Sequence, residues 1–133
     1  MEQTLSIIKP DAVERNLESE IKVFFEKNDL KITKSKKVKI SKEEASEFYK
    51  VHQTKPFYND LCNYLSSGPI VVMILEGNNA IATNRQIMGS TDPLKAEVGT
   101  LRKMYGLSID KNSVHGSDSL ENAKTEINFF FNK

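Results

Sequence analysis

The sequence predicts an α+β fold, a sandwich in which helices cover a four-stranded antiparallel sheet laid out as βαββαβ. Three observations predict it. Short runs of β-branched or alternating apolar residues take turns with segments whose apolar residues recur every three or four positions. Residues 70–75 (IVVMIL) form a continuous apolar run of strand length, as expected for a strand covered on both faces. The order along the chain is strand, helix, strand, helices, strand, helix, short strand, helix. That is the ferredoxin-like α+β sandwich with additional helices.

Each element has a local reason. Residues 4–9 (TLSIIK) read as a strand that Pro10 stops, because proline cannot donate to a ladder. From residue 13 to residue 27, apolar side chains at 13, 17, 21, 24 and 25 mark one face of a single helix. Leu30, Ile32, Val38 and Ile40 bound a second strand. Ser41 with Glu44 makes a capping box, so a helix runs from there to about Val51. Pro56 opens another helix through Leu65, which residues 66–69 (SSGP) end. Residues 78–88 are helical. Residues 89–99 (GSTDPLKAEVG) have loop chemistry, and a loop of that length inside a compact domain is more often functional than idle. Residues 101–105 make one helical turn. Asp118, with Glu121 at the third position, caps a last helix whose Ala123, Ile127 and Phe130 or Phe131 face inward.

The bulk numbers narrow the function classes. A chain of 133 residues has the size of one domain, here residues 1–133. It carries 19 basic and 18 acidic residues, a net charge of +1 that gives no support to a nucleic-acid or membrane-surface binder. Residues 31–42 hold six lysines, which read as a solvated strand face before a phosphate-backbone patch. The single cysteine, Cys62, has no intramolecular partner and reads as a small buried hydrophobe, in keeping with a reducing compartment. No apolar run has the length of a membrane span, and the first residues lack the order of a signal peptide, so the expected location is cytoplasmic. The two histidines, His52 and His115, have none of the spacing of a zinc motif.

His115 carries the chemistry, in the string Asn112-Ser113-Val114-His115-Gly116-Ser117-Asp118. An imidazole is neutral and nucleophilic over much of the physiological range, so it can accept a transferred group covalently. Gly116 gives the backbone extra freedom or lets a ligand approach closely. The ordinary alternative for one His-Gly is a histidine in a polar turn. Candidate cations and donors sit elsewhere in the chain: Lys9 at the end of the first strand, Arg85 late in the helix of residues 78–88, Thr91 in the long loop, Arg102 after it, and Asn112 three residues before His115. Gathered around His115, they would make a cage for phosphate oxygens.

Segments in a fixed order carry a resemblance: residues 4–13 (TLSIIKPDAV), Lys55-Pro56-Phe57, residues 67–72 (SGPIVV), Asn84-Arg85, residues 88–93 (MGSTDP), Gly99-Thr100-Leu101-Arg102, and residues 112–119 (NSVHGSDS). The chain resembles the nucleoside diphosphate kinases of the short bacterial type over nearly its whole length. The resemblance implies a ping-pong phosphotransfer between nucleoside triphosphates and diphosphates through a phosphohistidine at Nδ1 of His115. It also implies that Lys9, Arg85, Thr91, Arg102 and Asn112 bind phosphates and sugar, that the base stacks on Phe57, and that Ser117 and Glu126 orient the histidine. Mg²⁺ would arrive with the nucleotide, and no protein side chain would hold it. The expected assembly is a homo-oligomer, a tetramer or a hexamer. The sequence ends at Lys133, directly after the last expected helix, and longer relatives use a C-terminal extension in subunit contacts.

Some residues depart from the family pattern. Asp92 stands where asparagine is usual, and an added carboxylate beside phosphates would need a cation such as Arg85. Residues 18–21 (ESEI) lack a usual glycine. His52 has no place assigned by the resemblance and reads as a polar residue at a helix end.

Overall fold

The computed structural model describes residues 1–109 and 111–131, so the expected chain end at Lys133 lies outside the described residues. Four strands, β1 (Glu2–Ile8), β2 (Lys31–Val38), β3 (Ile70–Gly77) and β4 (Val114–Gly116), form one sheet in the order β2-β3-β1-β4. All three pairings are antiparallel. This is the ferredoxin-like arrangement expected from the order of elements. Among the described residues, seven α-helices accompany the sheet: α1 (Pro10–Glu14), α2 (Glu18–Lys27), α3 (Lys42–Phe48), α4 (Tyr58–Leu65), α5 (Ala80–Met88), α6 (Leu101–Tyr105) and α7 (Leu120–Phe131).

The two faces of the sheet sort the apolar residues by the strand period of two. Ile8 on β1 and Val71, Met73 and Leu75 on β3 pack with Ala12, Ile21, Phe25, Met88 and Leu101 from α1, α2, α5 and α6. Leu5 and Ile7, with Ile70 and Val72, pack the other way against Ala45, Cys62, Leu65 and Phe130 from α3, α4 and α7. Residues 70–75 are therefore buried on both sides, as their unbroken apolar run predicts. Each such side chain contributes roughly 1.5–3 kcal/mol by leaving water. β2 lies at one edge, and most of its lysines are exposed, which discourages edge-to-edge aggregation. β4 lies at the other edge and is only three residues long.

Local signals decide most boundaries. The capping box is present: the Ser41 hydroxyl accepts from the Glu44 amide at 3.1 Å, and Glu44 Oε1 accepts from the Ser41 amide at 3.0 Å. Such a cap contributes about 1 kcal/mol. Helix α3 ends at Phe48, sooner than the expected Val51, and a 3₁₀ turn follows at Lys50–His52. Residues 13–27 are two helices rather than one. Asn16 takes a left-handed backbone (φ 59°), which asparagine tolerates, in the three-residue gap between α1, ending at Glu14, and α2, beginning at Glu18. Pro10 stops β1 as expected, but it also opens α1, where its missing N–H costs nothing. Helix α4 starts at Tyr58 rather than Pro56, and α5 at Ala80 rather than Asn78, because Asn79 is itself left-handed (φ 51°). The last helix is capped by Ser119, whose hydroxyl accepts from the Asn122 amide at 3.1 Å. Asp118 instead accepts from the Asn122 side chain.

Gly116 has a structural reason that differs from the expected one. Its backbone is ordinary strand, not a glycine-only conformation. A Cβ there would lie 2.3 Å from Asn84 Nδ2 and 2.9 Å from the Met88 methyl, so the glycine lets α5 sit directly on β4. Gly116→Ala should therefore lower stability by about 1–3 kcal/mol through overpacking. Urea unfolding followed by circular dichroism measures this, and an unchanged midpoint would show that α5 shifts freely.

Candidate active site

Strand register fixes where the nucleophile candidate points. Ile7 pairs with His115 and Ile8 with Val114. Ile7 and Ile8 face opposite layers, so Val114 joins the α1, α2, α5 and α6 side, and His115 projects toward α3, α4 and α7. There its ring meets Phe48 edge-on, with centroids 5.4 Å apart. Nε2 of His115 lies 2.9 Å from Glu126 Oε1 on α7, and the same oxygen accepts from the Ser117 hydroxyl at 2.9 Å. Ser117 Oγ in turn accepts from the Leu5 amide at 3.3 Å. A carboxylate only accepts, so it selects the tautomer with hydrogen on Nε2 and leaves the lone pair on Nδ1.

His115 opens onto a cavity of about 540 Å³, within the size range of small-molecule sites. Its wall holds Lys9, Phe57, Thr91, Arg102 and Asn112, all candidates from the sequence. Lys9 stands at the junction of β1 and α1, where its Nζ donates to Asn112 Oδ1 at 2.9 Å. Asn112 Nδ2 donates to the Thr91 carbonyl at 3.1 Å, which ties the long loop to the same point. Arg102, in the first turn of α6, is almost wholly buried. It donates to the carbonyls of Gly89 and Val114, each at 3.0 Å. Burial, with Arg85 nearby, pushes its pKa down to about 10, so it stays cationic at neutral pH.

Arg85 is not in the cavity wall. It lines an adjoining depression that shares Thr91 and Arg102 with the cavity, and it is exposed on α5. Nor does Asp92 pair with it among the described residues. Asp92 Oδ1 accepts from the Leu94 amide at 3.0 Å in a local turn, a bond an asparagine oxygen makes equally well. The carboxylate is thus held by its own loop. Glu126 and Ser117 stand behind His115 rather than in the wall.

Sequence reasoning missed several contributors. Tyr49, His52, Leu61 and Ile109 also line the cavity. A second group beneath it joins distant parts of the chain. Asp11 Oδ2 accepts from Ser113 Oγ at 2.8 Å and from Arg15 at 2.9 Å, and the Tyr64 hydroxyl donates to Asp11 Oδ1. Burial, with that carboxylate, raises the Tyr64 pKa above its ordinary value. Ser113 takes a left-handed backbone (φ 74°), strained for a non-glycine and held by this network and by the Lys9 amide bonded to its carbonyl at 2.9 Å. Asn112 and His115, on either side of this segment, both line the cavity. The left-handed asparagines and the buried Asp11 network lie outside what helix or strand periodicity can report.

The donor set can be read chemically. The cavity onto which His115 opens is walled by two cations, an amide and a threonine. Such a set suits the oxygens of a phosphate chain. Among the described residues, no group of three or more His, Cys, Asp or Glu could hold a metal ion. No helix of the described residues is long and apolar enough to cross a membrane.

The family model described as nucleoside diphosphate kinase matches residues 2–133. A nucleoside diphosphate kinase of Nitratiruptor sp. is 57% identical over 98% of this chain and 96% of its own length. One of Campylobacter curvus is 58% identical, with the same coverage. Among solved structures, the Aquifex aeolicus nucleoside diphosphate kinase superposes with a TM-score of 0.95 at 40% identity, covering 98% of this chain and 94% of that one. The Encephalitozoon cuniculi nucleoside diphosphate kinase superposes with a TM-score of 0.96 at 38% identity, covering 100% and 90%.

Proposed function

The chain belongs to the nucleoside diphosphate kinase family, and from that premise we propose that it transfers the terminal phosphoryl group of a nucleoside triphosphate to a nucleoside diphosphate through His115. One observation supports this most: Glu126 occupies Nε2 at 2.9 Å, which reserves Nδ1 for phosphorus. The Nδ1 lone pair attacks the terminal phosphorus, the bond to the bridging oxygen breaks, and a nucleoside diphosphate departs. The imidazolium formed keeps its Nε2–H on the Glu126 carboxylate. A second diphosphate then attacks through a terminal oxygen, the P–N bond breaks, and the imidazole is restored.

In this reading Lys9, Arg102, Thr91 and Asn112 hold the phosphates and sugar, and Arg85 reaches in from the adjoining depression. Ser117 and Glu126 orient the ring. The bases of ATP, GTP and other ribo- and deoxyribonucleotides stack on Phe57, so one enzyme serves the whole triphosphate pool. No side chain of the cavity is assigned to hold Mg²⁺, which would arrive with the nucleotide and would supply positive charge against the phosphates. Residues 1–133 act as one domain in a cytoplasmic homo-oligomer, a tetramer or hexamer, with no membrane or nucleic-acid partner.

Two measurements test the reading. Incubation with ATP labelled in its terminal phosphate should give an acid-labile, base-stable phosphoprotein that a nucleoside diphosphate discharges. Absence of label on His115 would reduce the protein to a binding module. Phe57 is 42% exposed, as a stacking platform must be. Phe57→Ala should weaken binding of adenine, guanine and pyrimidine nucleotides alike, by about 1–3 kcal/mol on the stacking scale. Titration with each diphosphate measures it, and a loss confined to one base would contradict the platform.

A further inference from the structure

The bend between Asn112 and His115 is held by a charged cluster that the reaction above does not use. The Val114 amide donates to the Asn112 carbonyl, two residues back, at 2.9 Å, and Ser113 between them takes φ 74°. A three-residue turn of this hand is rare and strained for any side chain, and it persists only where its surroundings hold it. Asn112, just before Ser113, and His115, two residues after it, both line the cavity.

Two anchors hold the turn. The Lys9 amide donates to the Ser113 carbonyl at 2.9 Å. The other anchor is a side-chain cluster from α1. Ser113 is fully buried, and its hydroxyl donates to Asp11 Oδ2 at 2.8 Å. The Asp11 side chain is only 4% exposed, and the same oxygen accepts from Arg15 Nη2 at 2.9 Å. Its other oxygen accepts from the Tyr64 hydroxyl of α4. Arg15 Nη2 also donates to the Tyr105 carbonyl at 2.6 Å, where α6 ends. A buried carboxylate with its cation often stabilises a fold no more than apolar side chains of the same volume would, so its use here points to ordering rather than to stability.

We propose that Asp11 is a positioning residue for phosphoryl transfer: by accepting the Ser113 hydroxyl it holds the turn that sets His115 against the terminal phosphorus of a bound nucleotide. The proposal rests on the reading of His115 as the phosphoryl acceptor. Attack on phosphorus tolerates little misplacement, and an error of about 1 Å costs on the order of 10²-fold in rate. Binding depends on other contacts. Asn112 is tied to the Thr91 carbonyl, and Arg102 to the carbonyls of Gly89 and Val114. Loss of the Asp11 contact is therefore expected in the rate and not in the affinity.

Single-turnover phosphorylation of His115 by ATP tests this, with ADP affinity from calorimetry and the folded fraction from circular dichroism. Wild type is compared with Asp11→Ala, Asp11→Asn, Ser113→Ala and the double variant Asp11→Ala/Ser113→Ala. Asp11→Ala and Ser113→Ala should each slow phosphohistidine formation about 10–100-fold while ADP affinity stays within about threefold. One acts through the other, so the double variant should be at most about threefold slower than the slower single variant. Asp11→Asn keeps an oxygen for Ser113 and Arg15 and turns its NH₂ to the Tyr64 hydroxyl, which has lone pairs to accept it, so most of the lost rate should return.

Wild-type rates in folded Asp11→Ala or Ser113→Ala, whatever their melting temperatures, would overturn the proposal, since they would leave the cluster a purely stabilising one. So would rate losses that multiply in the double variant, an equal loss of affinity, or an Asp11→Asn as slow as Asp11→Ala. Should Asp11→Ala fail to fold, Ser113→Ala decides by the same split of rate against affinity, because it leaves every charge of the cluster in place. Wild type that takes no phosphate from ATP would instead remove the phosphohistidine reading, and this proposal with it.

Discussion

His115→Ala should lower phosphoryl transfer by at least about four orders of magnitude while leaving ADP affinity within about threefold. The two halves of that expectation come from separate parts of the geometry. The rate falls because the alanine offers no atom to carry phosphorus. Binding persists because the phosphate-side groups are held without His115. Lys9 is fixed to Asn112, Asn112 to the Thr91 carbonyl, and Arg102 to two backbone carbonyls. Glu126 retains Ser117 as a donor, so the substitution strands no buried charge. A coupled kinase assay gives the rate and titration calorimetry the affinity. Parallel loss of both would show that the histidine holds the fold rather than the phosphate.

Glu126→Gln should slow the formation of phosphohistidine by about 10²–10⁴-fold with little change in nucleotide affinity, the range expected when a group that fixes imidazole tautomer loses its charge. The carboxylate oxygen accepts from both Nε2 and Ser117. A glutamine amide can turn its NH₂ toward the ring, which makes Nε2 the acceptor and puts the hydrogen on Nδ1, where it blocks attack. Even with its oxygen inward, it lacks the charge that steadies the imidazolium. Single-turnover phosphorylation by ATP reads this step directly. A rate within threefold of wild type would mean that the ring finds its tautomer without Glu126.

Much of this arrangement was legible in the chain because its signals are local. The unbroken run at residues 70–75 needed no partner to be recognised as a two-sided strand. Ser41 and Glu44 formed the cap that their spacing foretold, and Cys62 is buried as a small hydrophobe. Four donors of the cavity wall, Lys9, Thr91, Arg102 and Asn112, could be nominated from the chain, and the family motifs put them in order; Arg85, nominated with them, lies in the adjoining depression. What escaped depends on distance or on backbone conformation. The breaks at Asn16 and Asn79 come from left-handed residues inside otherwise helical patterns. The Asp11–Ser113 bond spans more than a hundred residues of sequence, and only the fold brings its ends together. Gly116 was read for its backbone freedom, but α5 presses on it from a different part of the chain. Asp92 looked like a liability because its loop turn, which satisfies the carboxylate, has no periodic signature.

The Leu5 amide bonded to Ser117 has a consequence for quality control. Leu5 belongs to the first strand and Glu126 to the last helix, and both end at the same serine. A molecule whose opening strand has peeled away, or whose final helix has come loose, keeps its histidine but loses the setting that makes it reactive. Under the proposed mechanism, such half-folded copies would not form phosphohistidine.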